Sequence, residues 1–313
     1  MPDLKAWNLW HGCKKYSEGC RFCYMYYLDE IRGVPEKSSE IKKTKDFYKP
    51  IAKYKDGTYK LPSGYYLRIN MTSDTFLEEA DEWRKEMWEI IKQRPDIHFY
   101  ILTKRVPRIK ECLPPDWGEG YENVELHVTI ENQEAFDERW PIFKDIPAKH
   151  KGMNLAPLIG PVDITPALES GQLELVNLGG EGFGIHRECH YEWIKKVSDV
   201  CKKYKVNFIV NAIGSNFIKN GKRYIIDSQP KQGKQAYLSK LSHYYGRPVY
   251  KLYSPYDGHL LNENELMVRQ YNLGRCLTCS SFEDCIGCVK CGACKNVQLV
   301  SYDDIVKTRK DKL

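Results

Sequence analysis

Three cysteines near the start of the chain have the spacing of metal ligands. The group contains Cys13, Cys20 and Cys23, which lie within eleven residues and follow an apolar run. Three thiolates leave one coordination position open on a metal, and a catalytic metal needs such a position. In a 4Fe–4S cluster with three cysteine ligands, the fourth iron is free to bind a small molecule. The spacing predicts a metal site and favours an iron–sulfur cluster. A zinc site completed by His11, or an incidental group of thiols, is the alternative.

A second group of cysteines lies near the end of the chain. Repeated two-residue spacings are typical of iron–sulfur and zinc ligands, because neighbouring thiols then reach one metal centre. We expect a second 4Fe–4S cluster here, or zinc, and the spacing leaves open which four of the six thiols bind. These six residues are Cys276, Cys279, Cys285, Cys288, Cys291 and Cys294. The scattered Cys112, Cys189 and Cys201 are expected to be small core residues.

Seven short apolar runs are candidates for the strands that position these groups. Between several of them lie helical patterns, such as Asp81–Arg94 and Tyr191–Tyr204, with apolar residues at three- and four-residue steps. Strands that alternate with helices imply parallel pairing. We therefore predict an α/β fold, a full or partial parallel (β/α) barrel of about six to seven strands with a small cysteine-rich C-terminal extension. The predicted strands are Ala6–Trp10, Tyr65–Met71, His98–Thr103, Val124–Ile130, Met153–Leu158, Leu173–Leu178 and Asn207–Ala212.

The pattern divides the chain into a barrel domain at 1–229 and a cysteine-rich extension at 230–313. Residues 32–64 are rich in Lys, Ser, Gly and Pro and are expected to form a long excursion between the first two strands. The net charge is +6, and residues 230–313 carry 13 basic and 8 acidic side chains. This excess is compatible with nucleic acid, although a solvated surface has the same composition.

The composition excludes some classes of protein. Hydrophobic residues make up 42% of the chain and charged residues 29%, which is a globular mixture and not that of a disordered chain. No apolar run is long enough for a membrane helix, and the first residues lack the apolar run of a signal peptide. We expect a cytoplasmic protein with no membrane partner. Clustered cysteines in a reducing compartment bind metal more often than they form disulfides.

Polar residues follow several predicted strands, at the end where α/β barrels place their sites. Glycines after a strand let a ligand approach the backbone, and a nearby carboxylate can hold an ammonium group or ribose hydroxyls. Tight turns, surface salt bridges and loop capping are the alternatives for these positions. The candidate cofactor-binding residues are Ser73, Asp74, Lys104, Gly179, Gly180 and Glu181, and the candidate catalytic residues are Lys104, Glu131 and His127.

Alternation along five strands predicts a polar inner face. Side chains alternate across a strand, so Val124, Leu126 and Val128 share one face and His127 lies on the other. Buried polar groups cost free energy unless they are hydrogen-bonded. We therefore predict a hydrated lumen that binds a polar or charged substrate, with a one-sided solvated sheet as the alternative. Its predicted lining is Arg68, Asn70, His127, Asn154, Asn177 and Asn211.

Six motifs accompany the predicted strands. They are Trp7-Asn8 with Gly12-Cys13 and Ser17-x-Gly19-Cys20-x-x-Cys23-Tyr24; Arg68-Ile69-Asn70-Met71-Thr72-Ser73-Asp74-Thr75-Phe76; Tyr100-Ile101-Leu102-Thr103-Lys104-Arg105; Val128-x-Ile130-Glu131-Asn132-Gln133 with Asp137-Glu138-Arg139; Pro157-Leu158-Ile159-Gly160-Pro161; and Gly179-Gly180-Glu181. Together they resemble a phage- and prokaryote-associated family of unknown function, called three-Cys-motif proteins and similar to radical S-adenosylmethionine enzymes. The cysteine spacing is longer than the Cys-x3-Cys-x2-Cys usual among those enzymes, and Ala156 stands where the family commonly has an acidic residue. The C-terminal cysteines resemble a SPASM-type auxiliary-cluster extension.

The resemblance implies reductive cleavage of S-adenosylmethionine at the three-cysteine cluster, with an electron donor as partner. The polar inner face predicted above favours a polar substrate, and a nucleic acid or a nucleotide-derived molecule is a candidate. The sequence leaves open the substrate, the carbon–sulfur bond that breaks and the oligomeric state. Two other functions compete, a nucleic-acid-binding zinc or iron–sulfur module and an electron-transfer iron–sulfur protein. An open three-cysteine site favours the enzyme, because binding or electron transfer alone favours four protein ligands.

Overall fold

The computed structural model describes residues 6–246, 248–266, 271–272, 299–300 and 307–308. The six C-terminal cysteines lie outside the described residues, so the second metal site stays a prediction. Within the described part, no helix is long and apolar enough to cross a membrane.

Strands and short helices alternate along most of the described chain. The strands are β1 (Ala6–Trp7), β2 (Trp10–His11), β3 (Lys42–Lys43), β4 (Tyr66–Ile69), β5 (His98–Thr103), β6 (Val124–Thr129), β7 (His150–Leu155), β8 (Leu175–Gly179), β9 (Cys189–His190), β10 (Asn207–Ala212), β11 (Asn216–Lys219), β12 (Lys222–Ile225), β13 (Tyr271–Asn272) and β14 (Leu299–Val300). The α-helices are α1 (Tyr24–Ile31), α2 (Asp81–Gln93), α3 (Ile109–Cys112), α4 (Gln133–Phe143), α5 (Thr165–Glu169), α6 (Tyr191–Tyr204) and α7 (Gln229–Leu238).

Seven parallel strands form the central sheet, which curls into a half-barrel flanked by helices. Its order is β1-β4-β5-β6-β7-β8-β10, so neighbours in the sheet follow one another along the chain. The chain must cross from the carboxyl end of one parallel strand back to the amino end of the next. Helices such as α2 and α6 make these connections. This arrangement confirms the predicted α/β fold with a partial parallel barrel.

The predicted bounds agree best where apolar periodicity is unbroken. Strands β5 and β10 and helix α6 match residue for residue. The run predicted at Ala6–Trp10 is divided, because its second half leaves the sheet. Leu9 N donates to the Asn70 side chain at 3.0 Å, and Trp10 pairs instead with Lys43 of the excursion. The strand predicted at Met153–Leu158 begins and ends three residues earlier, since Pro157 has no N–H to donate to a ladder.

The two faces of the sheet have different chemistry. The outer face packs under the helices with Val124, Leu126 and Val128 in the main hydrophobic cluster, as predicted. The inner face carries aromatic, histidine and carboxylate side chains. Ring centroids lie 4.7 Å apart for Tyr66 and His98, and 4.5 Å apart for Tyr100 and His127. These rings fill the half of the curl nearest the amino ends of the strands.

The predicted lumen is therefore only partly correct. Asn154 is half-buried and lines a cavity, and Asn70 lines the same cavity although it is buried. His127 and Asn177 are buried among other side chains. Arg68 and Asn211 are exposed, so the prediction is wrong for these two. The half-barrel is open at one side. Asn211 lies on the edge strand β10, and Arg68 lies on β4, next to the two-residue edge strand β1.

Gly152 of β7 makes room for the His127 ring. A Cβ at this position would lie 2.0 Å from His127 Cε1, and the ring is fully buried. We expect Gly152→Ala to lower the free energy of unfolding by roughly 1–3 kcal/mol through overpacking. Chemical unfolding monitored by circular dichroism measures the change. Gly179→Ala is the control, because its Cβ would meet Ala156 at an ordinary 3.8 Å. Equal stability of the two variants would contradict the close fit.

His98 of β5 gives the fold a dependence on pH. Burial lowers the pKa of this histidine from 6.5 to about 4, and Glu125 only partly opposes the shift. The folded protein therefore binds fewer protons than the unfolded chain between these values, and stability falls as the pH drops from 6.5 to 4. We expect His98 to account for a loss of roughly 3 kcal/mol. Unfolding free energies of wild type and His98→Phe across this range test the prediction.

The matched control is His259, which is exposed and lies 2.7 Å from Asp257 and 2.8 Å from Glu265. These carboxylates raise its pKa, so His259→Gln should remove a dependence of the opposite sign. A His98→Phe protein that loses stability on acidification as steeply as wild type would show that another group causes the loss.

The chain continues to pack on the half-barrel beyond residue 229, where the predicted boundary falls. Helix α7 begins there and contacts β10. His243 and Phe208 exchange two backbone hydrogen bonds of 2.8 Å each. The ring of Tyr250 lies 3.7 Å from that of His98 and covers the interior from the amino ends of the strands.

Candidate functional site

A cavity of about 340 Å³ lies at the carboxyl ends of the parallel strands. All three N-terminal cysteines line it. The strand-end residues Ser73, Asp74, Lys104, Gly180 and Glu181 also line it, as the sequence predicts, together with Arg105, Asn154, Gln229 and Gln232. Parallel strands end at the same edge of a sheet, so residues far apart in the chain meet here.

One loop carries the three cysteines, and the fold holds it at several points. Cys13 N donates to Ser38 O at 2.8 Å, and the hydroxyl of Tyr26 donates to the Cys13 carbonyl. Cys20 ends a short 3-10 turn, and Cys23 immediately precedes α1. Gly12 has a φ of +89°, and a Cβ there would lie 2.6 Å from the Glu40 carbonyl oxygen. The loop therefore needs glycine at position 12.

Burial disfavours the thiolate form of two of the cysteines. Burial, and to a smaller extent Asp74, raise the pKa of the Cys13 thiol to about 12. Burial also raises the pKa of Cys23. The thiolate is the metal-binding form of cysteine, and a bound cation lowers the thiol pKa. These two thiols would thus give up their protons only to a strong Lewis acid.

The fit differs between a single ion and a cluster. Within the described residues, no three His, Cys, Asp or Glu side chains are placed to hold one metal ion. The ligands of a multi-iron cluster stand farther apart than those of one ion, because each thiolate binds a different iron. Three cysteines on one cavity wall match such a cluster in number and in donor type.

Asp74 joins the ends of β4 and β5. Its Oδ1 accepts from Thr103 Oγ1 at 2.7 Å, and its Oδ2 accepts from Lys104 N at 3.1 Å. Arg105 Nη1 lies 3.5 Å from the same oxygen. Ser73 Oγ donates to the Gly12 carbonyl and so holds the cysteine loop against this strand end. Both predicted cofactor-binding residues therefore already have protein partners on the cavity wall.

Glu131 was predicted to be catalytic, but it does not line the cavity. It is 1% exposed and lies beneath the cysteine loop. Its carboxylate accepts 2.6 Å hydrogen bonds from Ser17 Oγ and Arg139 Nη1, and Lys104 Nζ lies 3.5 Å away. A Cβ at Gly19 would lie 2.4 Å from Glu131 Oε1. Glu131 is thus a buried partner of the loop, and its catalytic role stays a prediction.

His127 also does not line the cavity. Its ring is fully buried, with Nε2 against Glu125 Oε1 and Nδ1 3.3 Å from Asn154 Oδ1. The predicted inward direction is correct, but neighbouring side chains fill the space in front of the ring. Lys104, the third predicted catalytic residue, lies on the cavity wall.

The predicted Gly179–Glu181 turn makes two contacts within the protein, one through the Gly180 backbone and one through the Glu181 carboxylate. A Cβ at Gly180 would lie 2.8 Å from Gly214 Cα, so this glycine permits close contact of two backbones and not only of a ligand. Glu181 is 7% exposed, and Arg187 binds both of its carboxylate oxygens. Gly179 lies just outside the cavity lining.

The loop after Glu181 closes over the cysteine loop. The rings of Phe22 and His186 stack at 3.9 Å, and Phe183 lies 6.0 Å from Tyr24. Arg187 Nη1 donates to the Glu18 carbonyl at 2.7 Å. These contacts join the loop that follows β1 and β2 to the loop that follows β8, across the opening of the half-barrel.

Sequence reasoning missed the contribution of α7. Gln232 is 0% exposed, and its amide nitrogen donates to the carbonyls of Gly182 and Ile226 at 3.1 and 2.9 Å. The alternation of strands and helices ends before this helix, so no periodic signal connected it with the barrel. A glutamine in a polar helix carries no motif that would have revealed its place on the cavity wall.

Comparison with curated proteins and with solved structures found no match. The resemblance to radical S-adenosylmethionine enzymes therefore stays a hypothesis. The profile of one family, described as "Protein of unknown function (DUF5131)", matches residues 4–265. This match covers most of the chain, including every element of the half-barrel and the cavity. The chain thus belongs to the DUF5131 family of proteins of unknown function.

Proposed function

We propose that the protein is a radical S-adenosylmethionine enzyme that modifies a polar substrate in the cytoplasm. The observation that carries the proposal is the meeting of Cys13, Cys20 and Cys23 with polar strand-end residues around one cavity. The loop has no fourth cysteine, and three thiolates leave an open position on a cluster.

In this proposal Cys13, Cys20 and Cys23 hold a 4Fe–4S cluster. When bound and reduced, the cluster supplies one electron to the sulfonium of S-adenosylmethionine. Lys104 is the candidate to bind the cofactor carboxylate. Its ammonium group is close enough to Cys23 to oppose the rise in the pKa of that thiol. The backbone of Gly180 and the carboxylate of Glu181 are the candidates for the ammonium and ribose groups.

In this proposal the chain's own aromatic residues shield the reacting groups from water. The rings of Phe22 and His186 stack beside the cysteines, and Phe183 lies next to Tyr24. A radical reaction needs such shielding, because open solvent permits side reactions. The electron donor and the substrate must then reach the cavity by another side or after this loop opens.

We further propose an auxiliary cluster at the C-terminal cysteines, which zinc could replace. Two 4Fe–4S clusters would give about eight iron atoms per chain, and one cluster with zinc about four. Metal and sulfide analysis of anaerobically purified protein separates these cases. It also separates the enzyme from a module that holds only zinc.

The deciding experiment is anaerobic incubation with S-adenosylmethionine and dithionite, with products identified by mass. We expect 5′-deoxyadenosine or a product of the aminocarboxypropyl group, formed only with reductant. An iron-loaded protein that leaves S-adenosylmethionine intact would refute the proposal and favour electron transfer. A zinc-only protein that binds oligonucleotides would favour the nucleic-acid-binding alternative.

A further inference from the structure

Three side chains form a hydrogen-bonded chain from the packed interior of the half-barrel to the cavity. Glu125 Oε1 contacts His127 Nε2, and His127 Nδ1 lies 3.3 Å from Asn154 Oδ1. Glu125 and His127 are buried, whereas Asn154 is half-buried and lines the cavity. The last of the three can touch a ligand, and the other two can act only through it.

Both nitrogens of the His127 ring face an oxygen. A ring nitrogen must carry a proton to make a hydrogen bond with an oxygen acceptor. Burial alone would raise the pKa of Glu125, but His127 and His98 lower it, so the carboxylate is ionised at neutral pH. With the amide oxygen of Asn154 placed toward the ring, Nδ1 is the donor of that contact, and Nε2 faces the carboxylate of Glu125.

The surroundings hold this arrangement in place. Glu125 Oε2 accepts from the Tyr66 hydroxyl at 3.3 Å and lies 3.4 Å from His98 Nε2. Burial lowers the pKa of His98 to about 4, so this neighbour is uncharged at neutral pH. Tyr100 packs against one side of the His127 ring. The other side of the ring lies against Gly152, which has no side chain to clash with it. Of the groups named here, Glu125 is the ionised side chain in contact with the His127 ring.

The amide of Asn154 then has a definite direction. Its oxygen accepts from the ring, so its NH2 group is left for the cavity. In the parallel register, Thr129 and Asn177 flank Asn154 on the same row of the sheet. The Asn177 oxygen is buried without a hydrogen-bond partner. The Asn154 side chain makes no second hydrogen bond among the described residues, so its NH2 group is available to a ligand in the cavity.

We propose that Glu125 and His127 are positioning residues that fix Asn154 as a hydrogen-bond donor to the cavity. The cavity then takes a ligand that presents an oxygen acceptor, such as a carboxylate, carbonyl or hydroxyl group, to β7. The inference rests on the cavity being the ligand site of the proposed function, but not on the ligand being S-adenosylmethionine.

Nitrogen NMR of the full-length protein with 15N-labelled histidine tests the positioning. We expect His127 Nδ1 to give the signal of a protonated nitrogen, because it faces the Asn154 oxygen, and Glu125→Gln to change the signals of the His127 ring. Glu174→Gln is the matched control, because Glu174 forms a similar pair with His150 at 3.0 Å on the next strands. It should change the His150 signals and leave those of His127 unchanged.

A neutral wild-type ring with an unprotonated Nδ1 would overturn the inference. Asn154 would then have to donate to the ring, and its oxygen would face the cavity. Thermal unfolding of each variant confirms that a lost signal does not come from a lost fold.

The ligand-binding test compares wild type with Asn154→Asp. Its control is Asn211→Asp, a change at an exposed residue of β10. Calorimetry with S-adenosylmethionine, which carries carboxylate and hydroxyl oxygens, should show binding weakened about tenfold or more in Asn154→Asp. Equal binding by these proteins would overturn the donor role. A wild type that does not bind this probe would count against the proposed function, and the nitrogen signals would then decide the inference.

Discussion

The triple variant Cys13→Ala, Cys20→Ala and Cys23→Ala is expected to lose all cleavage of S-adenosylmethionine. It should also contain about four fewer iron atoms per chain than wild type, because one 4Fe–4S cluster has lost its ligands. The three thiols line one cavity and come from one loop, so no single remaining residue replaces them. Product mass analysis and iron counts on anaerobically reconstituted protein measure both effects.

The matched control is Cys112→Ser. Cys112 lies outside the cavity, and Arg84 Nη1 donates to its sulfur at 3.1 Å, a contact that a serine hydroxyl can also accept. This variant should keep the iron content and the cleavage rate of wild type. Undiminished cleavage in the triple variant would refute the three-cysteine site. Equal loss in Cys112→Ser would show that general damage, and not ligand loss, explains the result.

Arg139→Met is expected to lower the free energy of unfolding by about 3–5 kcal/mol. Arg139 is 0% exposed, and its Nη1 donates to Glu131 Oε2 at 2.6 Å and to the Thr129 carbonyl at 2.7 Å. Removing the guanidinium leaves a buried carboxylate whose remaining ion pair, among the described residues, is the one with Lys104 at 3.5 Å. An uncompensated buried charge costs far more than a surface ion pair contributes. Denaturant unfolding measures the difference.

A surface pair provides the control for this prediction. Lys195 and Asp199 form an exposed pair on α6, and Lys195→Met should leave the free energy of unfolding nearly unchanged. The double variant Glu131→Gln with Arg139→Met removes both charges and should recover part of the loss. A cost for Arg139→Met no greater than that of the surface control would show that the buried pair does not stabilise the fold.

The same pair determines a pH dependence. Burial alone would raise the pKa of Glu131, but Lys104 and Arg139 lower it below 4.5. A carboxyl group with a lowered pKa in the folded state stabilises the fold above its unfolded value and loses this contribution as the pH falls. Wild type should therefore lose stability below about pH 4.5 more steeply than Glu131→Gln does.

Local periodicity was enough to predict most of the sheet. Strands β5 and β10 and helix α6 follow from apolar patterns of period two or 3.6, which depend only on neighbouring residues. The alternation of strands with helices also predicted the parallel pairing that the sheet shows. The cysteine loop follows from the close spacing of three residues of one type.

The roles of the strand-end residues depend on contacts that no local pattern contains. Ser17 and Glu131 are 114 positions apart, yet their side chains form the hydrogen bond that buries the carboxylate. Whether Glu131 faces the cavity or the loop depends on the space beside Gly19, which the sequence alone does not reveal. The same is true of His127, whose access is decided by side chains on the neighbouring strands.

The sequence by itself determined which residues form the strands and which residue types gather at their carboxyl ends. Only the tertiary structure decided which of these side chains reach the cavity. The physical reason is that burial and hydrogen bonding are settled by the curl of the sheet and by packing between distant residues. Asn154 and Lys104 therefore line the cavity, while the neighbouring Glu131 and His127 are buried and do not line it.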